Sequence, residues 1–154
     1  MESLTYDEAY EFLQTALVAH IGVITDDGSP YVTPMSFVTD DDRILFRTKP
    51  GRRLESIRKD GRVSIEASRF DEELGDWISV IVIGKATVGE DQALADRAVQ
   101  LLMTKYQRFM GSPLGISGLQ PMADFPVVVS VEIEEITGMS SGRGFAARTR
   151  PGRL

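Results

Sequence analysis

Apolar and polar residues alternate along much of this chain, which predicts β-strands. In the segment 43–48, for example, Ile44 and Phe46 fall on one face and Leu45 on the other. Aspartate-rich turns separate the first three such segments. The pattern predicts six strands, at residues 18–25, 31–38, 43–48, 62–68, 77–88 and 125–136.

The fifth predicted strand is apolar on both faces. Ile78, Val80 and Val82 point one way, whereas Ile81 and Ile83 point the other way. A strand with two apolar faces is covered on both of them. One face would therefore line the inside of a barrel, and the other would pack against a helix or a second subunit.

Three segments have the features of helices. Thr5 and Glu8 have the spacing of a capping box, so the first helix runs to about Thr15. A short second helix ends near Lys59, and an amphipathic third helix runs from about 89 to 110. Six strands with these helices predict a mostly β protein with some α structure, built as a small, mostly antiparallel barrel with helices packed outside.

The end of the chain differs in composition from the rest. Residues 111–124 are rich in Gly, Pro and Ser, which predicts an irregular connection. From Ser140 onward the chain carries four arginines and no acidic residue. We therefore predict one domain over residues 1–138 and a basic tail over 139–154, either flexible or bound to a partner.

Composition excludes several kinds of function. The 154 residues contain no cysteine and one histidine, which argues against disulfides, thiolate chemistry and a histidine-cluster metal site. The net charge of −6 argues against general nucleic-acid binding, which needs a basic face. No apolar run is long enough to span a membrane, and no secretory signal is visible. The simplest expectation is a cytoplasmic protein.

A basic turn joins the third predicted strand to the second helix, with the sequence Arg-Thr-Lys-Pro-Gly-Arg-Arg at 47–53. Residues 47–62 hold seven basic and two acidic side chains, a local charge of +5, so the rest of this −6 chain sums to −11. The free N–H groups and dipole of a helix start favour an anion, and arginine adds forked hydrogen bonds. The turn is either a phosphate site or a solvated basic loop.

Four blocks together resemble the pyridoxamine 5′-phosphate oxidase-like proteins, which share an FMN-binding split barrel. The blocks are an opening hairpin at 21–34, a strand and helix start at 44–54, the strand 62–66, and a strand similar to the family's VxVxGxA pattern at 79–86. Within the family, the chain is most similar to the branch that includes the nitroimidazole-resistance (Nim) proteins. The resemblance implies a homodimer with FMN at the subunit interface.

The resemblance also implies roles for individual residues. The strand around Thr33, Pro34, Met35 and Ser36 would lie along the isoalloxazine ring, and Ser79 would lie near that ring. The phosphate would be held by Arg47, Thr48, Arg52 and Arg53.

The function implied is that of an FMN-dependent oxidoreductase acting on a small substrate that the sequence does not identify. Two alternatives stay open. A deazaflavin (F-420) could replace FMN, with the arginine-rich tail meeting its longer acidic extension. The barrel could also bind flavin or haem without turnover, as a carrier or sensor, and His20 would then be the haem ligand. A lone histidine on a strand is otherwise a packed, hydrogen-bonded residue.

Overall fold

The computed structural model describes residues 1–110 and 126–142 of the chain. The strands are β1 (Glu2–Ser3), β2 (Ala19–Ile24), β3 (Pro30–Met35), β4 (Val38–Asp40), β5 (Arg43–Thr48), β6 (Arg62–Asp71), β7 (Asp76–Gly89) and β8 (Val127–Ser140). The helices are α1 (Tyr6–Thr15), α2 (Arg52–Lys59) and α3 (Gln92–Tyr106), and a 3-10 turn at Gln107–Phe109 follows α3. None of the helices in these two ranges is long and apolar enough to cross a membrane.

The described strands form one sheet in which every pairing is antiparallel. Its order is β3-β2-β6-β7-β8-β5-β4, with β1 added beside β8. The sheet curls but does not close by hydrogen bonding, because β3 lies at one end and β4 at the other. This arrangement confirms the predicted mostly antiparallel, α+β fold class.

The strand count was wrong: the described residues form eight strands, not six. The predicted strand 31–38 is two strands, because Met35 pairs with Ala19 on β2 whereas Val38 pairs with Leu45 on β5. The chain crosses between the two ends of the sheet at this point, while the alternation of side chains continues. The other strand that was not predicted, β1, has only two residues, which is too short for an alternation of apolar and polar residues to be recognised.

Two more boundaries differ from the predictions. The acidic loop predicted at 70–76 is shorter, because Phe70 pairs with Trp77 and Asp71 with Asp76 in the β6–β7 ladder. The last strand continues to Ser140, which pairs with Ile78, so it includes the first two residues of the predicted tail. The rest of that tail from 143, and the segment predicted to be irregular, lie outside the described residues.

One face of the sheet surrounds the main core. Inward side chains from β2, β5, β6, β7 and β8 pack there with α1 and α2, and Ile21, Ile65 and Val80 are fully buried. A second cluster lies on the opposite face of β5, where Leu45 packs against Leu102 of α3. The capping box predicted for α1 is present, since Thr5 and Glu8 bond each other's backbone N–H groups.

The outward face of β7 carries two exposed apolar residues. Ile81 and Ile83 are each 42% exposed, whereas Val80 and Val82 between and beside them are fully buried. The prediction that one face of this strand lines the interior is confirmed. No helix of the described chain covers the other face, which leaves a second subunit as the predicted cover.

Candidate cofactor site

The side chain of Arg53 joins β3, at one end of the open sheet, to β5, which lies next to the other end strand. It begins at the start of α2 and reaches across the gap between β3 and β5. One guanidinium nitrogen, Nη1, donates to the Thr33 hydroxyl at 3.1 Å and to the Pro34 carbonyl at 3.2 Å. The other nitrogens, Nη2 and Nε, donate to the Thr48 hydroxyl at 3.0 and 3.3 Å.

The local backbone makes this reach possible. Gly51, the residue before α2, has a φ of 154°, in the region where glycine is favoured. No side chain caps α2 at Gly51, so the first N–H groups of the helix keep their capacity to bind an acceptor. A positive helix end and a guanidinium therefore lie together beside the ends of β3 and β5.

The hydrogen-bond partners of the Arg53 cation among the described residues are all neutral. Its partners are two hydroxyls and a carbonyl, and no carboxylate of the described residues lies within ion-pair distance of it. Its guanidinium also lies over the Phe46 ring, 5.4 Å from the centroid. Burial lowers the pKa of Arg53. Burying a cation without an anion costs free energy. Arg53 with Thr33, Thr48 and the Pro34 carbonyl, here called the Arg53 cradle, therefore favours a bound anion.

Arg52 does not join this cradle. Its guanidinium lies 5.1 Å from the centre of the Tyr31 ring, in a groove of about 400 Å³ that acidic residues also line. The hydroxyl of Thr25 and the backbone at Ser29 lower the pKa of one of them, Asp27, to about 2, so it is ionised at neutral pH. The structure thus separates two arginines that are adjacent in sequence.

Arg47 lies on the other face of β5. It is 2% exposed, and alternation along the strand places it with Leu45 and opposite Val128, away from Thr48. Its predicted role at the phosphate therefore gains no geometric support, and it stays a prediction.

The four residues predicted along the flavin ring point in different directions. Met35 packs in the core at 4% exposure, and Thr33 contacts Arg53. Pro34 is exposed on the outer face of β3, and Ser36 is half-buried at the crossing from β3 to β4. Only Pro34 of these presents its side chain to the outside of the sheet.

Three polar side chains on this outer face meet in a cluster that the sequence did not predict. His20 Nδ1 lies 3.5 Å from Glu66 Oε2, and the Ser79 hydroxyl donates to Glu66 Oε1 at 3.1 Å. The three residues come from β2, β6 and β7, and their contact depends on the register between those strands. No sequence spacing signals it. The described residues contain no group of three or more residues able to hold a metal ion.

The site lies inside a region that matches a known family. The family model for pyridoxamine 5′-phosphate oxidase matches residues 5–140. This chain belongs to that family. The match includes both the Arg53 cradle and the outer face of β7. No curated protein matches the sequence at a significant level.

Solved structures share the split-barrel fold. A FAD-binding protein from Mesorhizobium loti matches with a TM-score of 0.72 at 20% identity, over 92% of this chain and 98% of that one. The FAD-binding protein from Mycobacterium smegmatis matches with a TM-score of 0.63 at 26% identity, over 91% and 98%. A candidate 5-nitroimidazole antibiotic resistance protein from Bacteroides thetaiotaomicron has a TM-score of 0.69 at 19% identity, over 89% and 86%.

The family match allows the cradle to be tested for fit. A flavin phosphate needs donors around a terminal oxyanion, and Arg53, Thr48, Thr33 and the start of α2 supply guanidinium, hydroxyl and backbone N–H donors. These residues fit such a group. Both hydroxyls accept from Arg53. The Thr33 hydroxyl keeps its own proton to donate to a phosphate oxygen, whereas the Thr48 hydroxyl donates to the Lys49 carbonyl at 3.3 Å.

Proposed function

We propose that this protein is an FMN-dependent oxidoreductase that works as a homodimer on a small substrate. The observation that carries the proposal is the Arg53 guanidinium, half-buried at the sheet gap, whose hydrogen-bond partners in the described part of the chain are all neutral oxygens. One guanidinium with two hydroxyls suits one terminal phosphate. The similarity to FAD-binding proteins from two bacteria supports a flavin of some kind.

In this proposal the chain supplies binding and surroundings. Arg53 and Thr48 would hold the phosphate, and Pro34 and Ser79 would face the ring across the outer surface of the sheet. The flavin would supply the hydride or electron transfer that the side chains lack. A deazaflavin reductase is the close alternative, and a flavin or haem carrier is the non-catalytic one. A cytoplasmic location remains a prediction.

The outer face of β7 supports the homodimer. Ile81 and Ile83 are each 42% exposed on a strand whose inner face is fully packed. Burying such residues against a second copy would stabilise the pair by roughly 25 cal/mol for each Å² of apolar area removed from water. Ile81→Glu should give a monomer by sedimentation, while Val18→Glu, at an exposed apolar residue outside β7, should leave the dimer intact. A monomeric parent protein would refute this part.

A cofactor titration tests the main proposal. The purified apoprotein is titrated with riboflavin, FMN, FAD and a deazaflavin, and binding is followed by flavin fluorescence. We expect FMN to bind at least ten-fold more tightly than riboflavin, because only FMN brings the anion. Arg53→Gln should remove this advantage. Arg58→Gln, at an exposed arginine later on α2, should preserve it.

Other outcomes of the titration would change the assignment. Equal affinity for riboflavin and FMN would refute the phosphate cradle, and tighter binding of the deazaflavin would favour the alternative cofactor. A Soret band with added haem, lost in His20→Ala, would favour the haem carrier. Bleaching of bound flavin by NADPH, followed by reoxidation with an added acceptor, would separate an enzyme from a carrier.

A further inference from the structure

His20 lies in the middle of a row of four strands. Its direct neighbours are Pro34 on β3 and Glu66 on β6, and Glu66 in turn lies beside Ile81 on β7. These four residues alternate with the buried core positions, so their side chains share the outer face. This is the face on which the proposed function places the flavin ring.

Glu66 holds its two neighbours with different oxygen atoms. Oε2 lies 3.5 Å from His20 Nδ1, and Oε1 accepts from the Ser79 hydroxyl at 3.1 Å. The Ser79 bond fixes the carboxylate, and Nδ1 is the ring nitrogen that faces it. With Nδ1 turned to Glu66, Nε2 is the ring nitrogen available to another molecule.

The imidazole is open to such a molecule. The His20 side chain is 52% exposed and that of Glu66 is 36% exposed. The prediction that His20 is a packed residue is wrong, because about half of its side chain is exposed. Two residues expected beside the flavin ring, Pro34 and Ser79, lie on either side of the pair, and neighbouring strands are roughly 4.8 Å apart. A planar ligand on this face would cover or border the imidazole.

Other charged groups on the face lie farther away. In the next row of cross-strand neighbours, Gly22 and Ser64 adjoin Ile83, which faces Glu135 of β8. Arg62 and Lys85 pair one row beyond. On the β3 side the neighbours Pro34 and Val32 carry no charge. Among the described residues, Glu66 is therefore the ionisable side chain that directly adjoins His20.

We propose that His20 is a catalytic residue of this site, giving a proton from Nε2 to the substrate, and that Glu66 is its positioning residue. The inference rests on the proposed function. A carbonyl or quinone that accepts a hydride gains two electrons and one proton, and it needs a second proton on oxygen. The imidazolium supplies that proton, becomes neutral imidazole, and regains a proton from solvent.

Because the chain has one histidine, its imidazole gives one set of ring signals in NMR spectra, and the Hε1 signal is the one followed. The full chain is labelled at histidine, and the signal is recorded while FMN is added. We expect FMN to shift this signal in the parent protein, because the flavin ring borders the imidazole. Glu66→Gln should alter the shift, whereas Glu134→Gln, at an exposed carboxylate on β8, should not.

A kinetic measurement tests proton donation. FMN-loaded protein is reduced with one equivalent of dithionite and mixed with menadione, and reoxidation is followed across pH 5 to 9. The parent rate should fall toward higher pH, because the reduction consumes a proton. His20→Gln should be at least ten-fold slower at low pH and should lose the pH dependence, with FMN affinity changed less than three-fold. Glu66→Gln should move the pH profile while turnover persists.

The results separate the two proposals. If the parent protein binds no flavin, the proposed function and this inference both fall. If FMN binds but leaves the histidine signal unmoved, or if His20→Gln reoxidises with the parent rate and pH profile, this inference alone is wrong.

Discussion

The guanidinium of Arg53 and the hydroxyl of Thr48 are joined by two hydrogen bonds, at 3.0 Å from Nη2 and 3.3 Å from Nε. Thr48 is the last residue of β5 and is 2% exposed, so its hydroxyl has little access to water. The pair fastens the start of α2 to the end of β5. Because Arg53 also bonds Thr33 and Pro34 of β3, the same side chain bridges the gap that backbone pairing leaves open.

Thr48→Val should weaken this bridge with little change in side-chain volume. Two guanidinium donors lose their acceptor, which should lower the free energy of unfolding by about 1–3 kcal/mol. The variant should also bind FMN at least five-fold more weakly, measured by fluorescence titration. Thr87→Val, at an exposed position of β7, is the matched control and should match the parent. An unchanged FMN affinity in Thr48→Val would remove this hydroxyl from the site.

Tyr106→Phe should destabilise the crossing between β3 and β4. The Tyr106 hydroxyl accepts from the Phe37 N–H at 3.1 Å and lies 2.7 Å from the Leu17 carbonyl, to which it donates. The ring is 1% exposed, so these backbone groups would lose their partner without gaining water. We expect a loss of about 1–3 kcal/mol in urea unfolding. Tyr6→Phe, at a 57% exposed tyrosine, should lose almost nothing.

Gly84→Ala should be among the most destabilising substitutions in the sheet. A Cβ at this position would lie 2.4 Å from the Glu132 carbonyl oxygen, where β7 shifts register against β8. Backbone must move to admit the methyl group, which should cost at least about 2 kcal/mol. The midpoint of thermal unfolding reports the loss. Gly142→Ala is the control, because a Cβ at Gly142 would have no atom within 4 Å. An equal loss of stability in Gly142→Ala would contradict the steric explanation.

Lys105→Met should change how stability depends on pH. Lys105 Nζ donates to the Phe37 carbonyl at 2.9 Å, and burial lowers the pKa of its ammonium to about 7. In the unfolded chain a lysine keeps its proton to about pH 10.4. Between these values the unfolded chain binds more protons, so the free energy of unfolding should rise with pH by up to about 1.4 kcal/mol per unit.

Replacing Lys105 with methionine removes this contribution to the pH dependence of stability. The free energy of unfolding of Lys105→Met should therefore rise less than that of the parent between pH 7 and 10, measured in urea at each pH. Lys85→Met, at an exposed lysine of β7, is the control and should follow the parent. Parallel curves for the parent and Lys105→Met would show that the burial of this ammonium does not affect folding.

Local patterns in the sequence were enough to predict most elements and the basic turn. The capping box of α1, the turns and the alternation in β5 and β7 are relations among residues at most a few positions apart. The same short-range chemistry placed cations at the start of α2, where an anion is favoured. These features need no knowledge of which strands pair.

Tertiary structure decided which of the predicted residues meet. Arg52 and Arg53 are adjacent in sequence, yet one lies over Tyr31 and the other reaches Thr48, because successive residues of a helix point about 100° apart. His20, Glu66 and Ser79 are far apart in the chain and meet through strand register alone. Register follows from packing of the whole sheet, since a one-residue slip would exchange the core and outer faces. Local sequence therefore determined the elements and their charge, and long-range packing determined the site.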